Sequence, residues 1–153
     1  MKKQTIWRIL LLMLIAATLL FIWKNSLMPK EDSLEDSEAV TGFLRPLLGV
    51  FIGEENVTEH FVRKLAHFTE FGVLGAELAC LSLLLTKRRL HGLFHCLFAG
   101  LLAAVIDEAL QLLNDRGSQV QDVLLDFIGV TLAVLLVHLI AYLYQKKKEK
   151  RAS

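Results

Sequence analysis

The stretch at residues 93–113, LFHCLFAGLLAAVIDEALQLL, combines a long apolar run with two adjacent acids near its end, Asp107 and Glu108. A segment of about 20 mostly apolar residues can cross the hydrocarbon core of a bilayer as a helix. Charged residues are rare in such segments and normally face a partner or a cavity. The stretch therefore predicts a transmembrane helix that carries a polar group near one end.

Three further apolar runs lie on either side of this one, at residues 6–23, 67–85 and 123–144. The hydrophobic fraction is 54%, and the apolar residues come in blocks rather than in alternating or helical patterns, as a hydrocarbon solvent selects. The first run follows Lys2 and Lys3, so a secretory signal peptide is the alternative, but the run is long and no A-x-A-like site follows. We predict an all-α, integral membrane four-helix bundle, with residues 1–153 forming one domain.

The distribution of lysine and arginine predicts the orientation of the bundle. With both termini in the cytoplasm, 11 of the 17 basic residues lie inside and six are spread over the outside. The cytoplasmic residues are Lys2, Lys3, Arg8, Lys87, Arg88, Arg89, Lys146, Lys147, Lys148, Lys150 and Arg151. This excess is typical of cytoplasmic segments. We therefore expect a multi-pass protein of the plasma membrane with residues 24–66 outside.

The external loop at residues 24–66 contains an apolar face with helical spacing. That face consists of Val40, Phe43, Leu44, Leu47, Leu48, Phe51 and Ile52. It predicts an amphipathic helix on the outer leaflet, bent near Pro46. A helix packed over the mouth of the bundle is the alternative. Further along, Thr58 can cap a helix that continues into the second span.

Ionisable residues recur inside the spans, where each costs at least roughly 2.5–3.5 kcal/mol at a helix centre. On the second span, a rotation of 100° per residue places four of them on one stripe. These are Arg63, His67, Glu70 and Glu77. On the third, Asp107 and Gln111 share a face, with Glu108 to one side, and on the fourth Asp122 and Asp126 line up. Arg116 lies in the loop between the last two spans.

The same residues also fall at one depth. The second span enters from outside at His67 and Glu70, and the third leaves about 9 Å beyond Asp107 at 1.5 Å per residue. The fourth span re-enters at Asp122 and Asp126. The polar sets are therefore expected to meet in the outer half of the membrane. Small residues on these helices would let the backbones approach. The pairs are Gly72 with Ala76, Gly75 with Ala79, Gly100 with Ala104, and Gly129 with Ala133.

A purely structural role is the alternative, in which these groups pair to lock the bundle. Arg63 or Lys64 would then hold Glu70, and Arg116 would hold Asp122. The acids outnumber the cations, however, so this pairing leaves negative charge or protons unassigned. Glu77, the deepest acid, is the member that best fits a structural role. Cys80 and Cys96 lie in apolar runs and match no zinc or redox spacing.

Two segments resemble the signatures of the VanZ-like family. The first is RKLAHFTEFGVLG at residues 63–75, and the second is DEALQ at residues 107–111, followed by Arg116, Asp122 and DFIG at residues 126–129. Phe71 stands where the family commonly has tyrosine. The resemblance implies a bacterial membrane protein of a family linked to reduced susceptibility to teicoplanin-type glycopeptides. It implies one functional set: His67, Glu70, Asp107, Glu108, Gln111, Arg116, Asp122 and Asp126.

The leading hypothesis is a site that binds or modifies a polar group at the outer leaflet, such as a lipid-linked wall precursor or another membrane lipid. Arg116 and Arg63 or Lys64 could hold phosphate, while the acids and Gln111 could hold sugar hydroxyls. No basic stripe with interleaved aromatic residues is present, so we expect no nucleic-acid partner. A homo-oligomer stays open.

An intramembrane enzyme is the second hypothesis. His67 could act as a general base, with Asp107 or Glu108 as an acid or a metal ligand. No serine or cysteine is expected near this set, apart from Ser118 in the loop, so nucleophilic triad chemistry is not expected. A divalent metal could bind to Asp107, Glu108, Asp122 or Asp126, because hard cations take oxygen ligands. The acids lack a fixed ligand spacing, however, and we expect that no metal or cofactor is required. A structural bundle without a site is the third hypothesis.

Overall fold

The computed structural model describes residues 2–113 and 119–152, with side chains for residues 3–29, 37–113 and 119–151. In these ranges the chain is helical and contains no β-strand, which confirms the predicted all-α class. Five α-helices and one short 3-10 helix follow one another. They are α1 (Lys2–Ser26), α2 (Lys30–Ile52), the 3-10 helix (Glu54–Asn56), α3 (Glu59–Leu85), α4 (Arg89–Leu112) and α5 (Val120–Ala152).

Four of the described helices, α1, α3, α4 and α5, are long and apolar enough to cross a membrane. This confirms the predicted set of four spans by length and composition. The helices are longer than the apolar runs because their polar ends continue the same backbone hydrogen bonding. Helix α3 begins at Glu59, where the Thr58 hydroxyl accepts a hydrogen bond from the Phe61 N–H at 3.2 Å. The predicted cap at Thr58 is therefore confirmed.

Helix α2 forms in the loop that was predicted to hold an amphipathic helix. It runs through Pro46 and packs against α3 and the 3-10 helix. It ends at Gly53, whose φ of +85° favours glycine. Phe43, Leu47 and Phe51 on its apolar face are exposed. A face that the protein does not cover suits contact with lipid, so the position of α2 on the outer leaflet stays a prediction.

Helix α3 is the centre of the bundle and packs against α1, α2, α4 and α5. Its contact with α5 is close because glycines remove the side chains between the two backbones. A Cβ atom added to Gly75 would lie 2.6 Å from the carbonyl oxygen of Val130, and one on Gly129 would lie 2.5 Å from that of Phe68. The predicted role of these two glycines in helix approach is confirmed.

The apolar core lies where the four long helices meet. Phe71, Leu74, Val130 and Val134 are at most 1% exposed. Many large apolar side chains point away from the protein instead, among them Met13, Phe98, Leu132 and Leu136. Exposed apolar surface on this scale is a liability in water and is expected for helices that face lipid. Apolar side chains thus fill the core and the outer surface of the bundle, and the polar side chains of the spans lie mainly at one end.

Candidate functional site

Asp107 lies at the centre of the polar cluster and is completely buried. One carboxylate oxygen accepts a hydrogen bond from the Ser26 hydroxyl at the end of α1. The other accepts a hydrogen bond from the Gln111 amide at 3.0 Å and lies 3.7 Å from Nδ1 of His67 on α3. One carboxylate therefore joins α1, α3 and α4 at a single point.

Glu108, the neighbouring acid on α4, connects this point to the start of α5. Its Oε1 accepts a hydrogen bond from Gln111 at 3.2 Å, and its Oε2 accepts one from the backbone N–H of Gln119 at 3.1 Å. Gln111 donates to both acids through a single amide nitrogen. The D-E-x-x-Q spacing is thus explained by helix geometry, since residues three and four apart lie on one face.

The described salt bridge of Lys64 differs from the pair with Glu70 expected for a structural role, while the expected pair of Arg116 with Asp122 lies outside the described residues. Lys64 pairs with Asp122 on α5 at 3.1 Å rather than with Glu70. Glu70 instead interacts with Asn25 of α1. Both members of the Lys64–Asp122 pair are about a third exposed, with side-chain values of 31% and 27%. A pair this accessible to solvent contributes little to stability, and it lies where a ligand could exchange with it.

Asp126 on α5 is the least satisfied acid in the cluster. It is 1% exposed, and within the described part of the chain neither of its carboxylate oxygens has a hydrogen-bond partner. Four other carboxylates, those of Asp107, Glu108, Asp122 and Glu70, act on it electrostatically. One oxygen of Asp126 lies within 4.8 Å of an oxygen of Asp107 and a ring nitrogen of His67. Buried polar groups in proteins are normally hydrogen-bonded, and buried charges are paired or coordinate a metal.

A polar cavity of about 270 Å³ opens beside these residues. Its walls come from α3, α4, α5 and the residue before α5. The lining residues are His60, Arg63, Lys64, His67, Glu108, Gln111, Gln119, Asp122, Leu125 and Asp126. Cations and acids both reach it, so the cavity can offer donors to an anion and acceptors to hydroxyl groups.

A second cavity of about 420 Å³ adjoins the first and is mainly apolar. It lies between α1, α2 and α3, and Phe21, Met28 and Val62 are among its walls. Arg63 and His67 line both cavities. The two spaces therefore meet at a pair of side chains that can each bear positive charge.

Glu77 lies apart from this cluster and lines neither cavity. Its Oε1 accepts a hydrogen bond at 2.9 Å from the hydroxyl of Thr18 on α1. The contact joins α1 to α3 two turns deeper than Glu70. This geometry suits the structural role that the sequence favoured for Glu77.

The structure brings together nine of the ten residues predicted to bind a ligand. They are Arg63, Lys64, His67, Glu70, Asp107, Glu108, Gln111, Asp122 and Asp126. The tenth, Arg116, lies outside the described residues. That these residues bind a ligand stays a prediction.

Sequence reasoning missed the contribution of α1. Asn25 and Ser26 form a polar pair in the last turn of an otherwise apolar helix, and this placement at the depth of the cluster could have identified them. The expectation that no serine lies near the set was wrong, because Ser26 comes from a span distant in sequence. Its hydroxyl is buried and donates to Asp107, and it also contacts the carbonyl of Ile22 at 3.2 Å. The hydroxyl is directed at a carboxylate rather than at a histidine base, unlike that of a serine nucleophile.

Comparison with known proteins gives one match. A sequence model of the VanZ/LLP1 family matches residues 8–141, which cover most of the chain. No curated protein and no solved structure matches the chain significantly.

Proposed function

The chain belongs to the VanZ/LLP1 family, and we propose that its polar cluster binds or modifies the headgroup of a lipid-linked cell-envelope component. The lipid is one that carries phosphate and sugar groups, at the outer face of a bacterial plasma membrane. Through this binding the protein would reduce susceptibility to teicoplanin-type glycopeptides, in line with the family resemblance. The observation that carries the proposal is the polar cavity that meets an apolar one at Arg63 and His67.

The paired cavities suit an amphiphile because each half offers a different chemistry. In the polar cavity, Arg63 and Lys64 are able to hold a phosphate, and Gln111 and the acids are able to accept hydrogen bonds from hydroxyl groups. In the adjoining cavity, Phe21, Met28 and Val62 are able to contact a hydrocarbon chain. A free sugar or a free phosphate would leave the apolar cavity unused, which favours a lipid.

The position of the cluster in the bundle also supports an outer-leaflet ligand. It is formed by the end of α1, the early turns of α3, the end of α4 and the start of α5, which all lie at one end of the bundle. The excess of basic residues predicts that this end faces outward. A lipid-linked target of a glycopeptide would be displayed at this level of the membrane.

The binding experiment compares a lipid with its apolar chain alone and with its headgroup alone. Purified protein in detergent is titrated with a polyprenyl diphosphate, the matching polyprenol and inorganic pyrophosphate, while tryptophan fluorescence or thermal shift is recorded. We expect the diphosphate lipid to bind at least about tenfold more tightly than either part alone, since each part fills one cavity. Equal binding of polyprenol and diphosphate lipid would contradict a headgroup site.

Two substitutions make the experiment specific to the cavity. Lys64→Gln removes a cation that lines the polar cavity, and Lys24→Gln removes an exposed cation at the end of α1 that lines neither cavity. We expect Lys64→Gln to weaken binding of the diphosphate lipid and to restore glycopeptide susceptibility in cells. Lys24→Gln should do neither. Equal effects of both changes would indicate general surface electrostatics rather than a site.

An intramembrane enzyme is the second candidate, favoured by the placement of His67 beside the buried Asp107 at 3.7 Å. A carboxylate in this position can orient an imidazole as a general base. His67 also lines the polar cavity, so it would reach a bound headgroup. Incubation of the diphosphate lipid with the protein, followed by mass analysis, separates the two candidates. A modified lipid that forms with wild type and not with His67→Gln would favour catalysis over binding.

A further inference from the structure

We infer that His67, Asp107 and Asp126 form a binding site for one divalent cation. Each residue comes from a different helix: α3, α4 and α5. One ligand atom from each lies within 4.8 Å of the others. A six-coordinate ion with bonds of about 2.1 Å needs ligand separations of about 3.0–4.2 Å. Small side-chain rotations would bring the three ligand atoms from within 4.8 Å of one another to these separations. The described backbone already places all three side chains around one point.

Asp126 supplies an independent indication of a bound ligand. It is 1% exposed, and neither carboxylate oxygen has a hydrogen-bond partner among the described side chains of residues 3–29, 37–113 and 119–151 or the described backbone. Buried carboxylates in proteins are normally paired, hydrogen-bonded or coordinated to a metal. Asp107 and Glu108 accept hydrogen bonds from Gln111, so they are satisfied in a way that Asp126 is not. A cation beside Asp126 would give this carboxylate a partner that no described protein group supplies.

The charges around the cluster also favour a cation. The carboxylates of Asp107, Glu108, Asp122 and Glu70 all repel that of Asp126. Lys64 is paired with Asp122 on the cavity side. A divalent ion between Asp107 and Asp126 would remove the strongest repulsion, since Asp107 is the charge that acts most strongly on Asp126. The same ion would offer an anionic headgroup a positive point of attachment.

The proposed ligand Asp107 is held in place by two side chains that are not ligands themselves. The Ser26 hydroxyl and the Gln111 amide both donate to Asp107. Outer contacts of this kind orient carboxylate ligands and tune the affinity of a metal site. Asp107 is therefore fixed before a cation arrives, and the cavity that reaches His67 and Asp126 provides the entry path.

The ligand set indicates the class of cation. Two carboxylates and one imidazole suit Zn²⁺, which takes both nitrogen and oxygen ligands, and Mn²⁺, which favours carboxylates, better than Ca²⁺, which prefers oxygen ligands alone. Three protein ligands leave open coordination positions for water or for a ligand oxygen. This inference differs from the sequence-based expectation that no metal is required. That expectation rested on the lack of a fixed ligand spacing in the sequence. Ligands that come from three different helices have no characteristic spacing, so this test could not have found them.

The test uses the full chain, purified in detergent with a tag that contains no histidine and stripped with chelator. His91 and His95 are exposed and four residues apart on α4, a spacing that binds Zn²⁺ on helices. All proteins in the test therefore carry His91→Ala. Mn²⁺ binding is followed by electron paramagnetic resonance, and Zn²⁺ binding by equilibrium dialysis with elemental analysis. We expect one ion per chain and competition between the two metals.

The variants separate the proposed site from its surroundings. Asp126→Asn and His67→Gln should each weaken Mn²⁺ binding at least about tenfold, because each removes one of three protein ligands. Glu77→Gln is the matched control, since it removes the charge of a buried acid on α3 that lines neither cavity, and it should keep near wild-type affinity. Thermal melting with chelator present shows that each variant is folded.

Three results would overturn the inference. They are no ion bound at about 1 mM Mn²⁺ or Zn²⁺, binding that survives both Asp126→Asn and His67→Gln, or binding that falls equally with Glu77→Gln. If Asp126→Asn does not fold, His67→Gln and the stoichiometry of wild type decide the question. The experiment contains no lipid, so its failure leaves the proposed headgroup site to be judged by the lipid titration.

Discussion

Replacement of Asp107 by asparagine tests whether the polar cluster is a ligand-binding site or a structural lock, that is, a set of side-chain pairs that only holds the helices together. The change keeps the shape of the side chain and removes its charge. Ser26 and Gln111 donate to the two carboxylate oxygens, but asparagine offers one oxygen and one NH₂ group. The asparagine oxygen would accept from the Gln111 amide, and its NH₂ group would face the Ser26 hydroxyl, which can accept that bond by turning its own hydrogen to the Ile22 carbonyl at 3.2 Å. Two hydrogen bonds to a charged carboxylate would thus become neutral ones, at a cost of about 1–3 kcal/mol in total.

The loss of charge acts in the opposite direction. An oxygen of Asp107 lies within 4.8 Å of one of Asp126. If both are ionised, their repulsion is about 3 kcal/mol at an effective dielectric constant of about 20. The two effects nearly cancel, so we expect Asp107→Asn to change the free energy of unfolding by less than about 2 kcal/mol. At about 2–4 °C per kcal/mol, Tm should move by less than about 8 °C, in either direction.

The assay combines melting of the purified variant in detergent, with chelator present, and glycopeptide susceptibility of cells that express it. For a site, we expect folded protein with near wild-type melting and a loss of the resistance phenotype. For a lock, removing one member of a buried pair costs about 3–5 kcal/mol. A loss of folded protein in proportion to the loss of phenotype would refute the reasoning. Glu77→Gln is the matched control, because it changes a buried acid outside both cavities and should keep the phenotype.

The remaining predictions concern topology and packing. Reporters fused after Ser153 or inserted at residues 87–89 should read cytoplasmic, and one at residues 31–38 should read external; an external C-terminus would contradict the four-helix orientation. Gly75→Ala should destabilise the protein by about 1–3 kcal/mol, since its Cβ would lie 2.6 Å from the Val130 carbonyl oxygen. Gly42→Ala is the control, because nothing lies within 4 Å of its Cβ; equal melting of both variants would argue against close packing of α3 on α5.

The amino-acid sequence determined the fold class and most of the cluster. Long apolar blocks can only be satisfied as helices in hydrocarbon, because every backbone polar group must then be paired within its own segment. The helical period also fixed which polar residues share a face, so the spacing alone placed Asp107 beside Gln111. These are local properties, and they follow from the order of residues within one helix.

Contacts between helices were decided only by the tertiary structure. Sequence could not show that Lys64 pairs with Asp122, that Ser26 of α1 donates to Asp107, or that Asp126 has no described partner. Each depends on the rotation and depth of one helix relative to another, and for α3 on α5 close glycine contacts such as Gly75 on Val130 contribute to that arrangement. Helical period fixes the face that a side chain occupies, but packing fixes the neighbour that it meets.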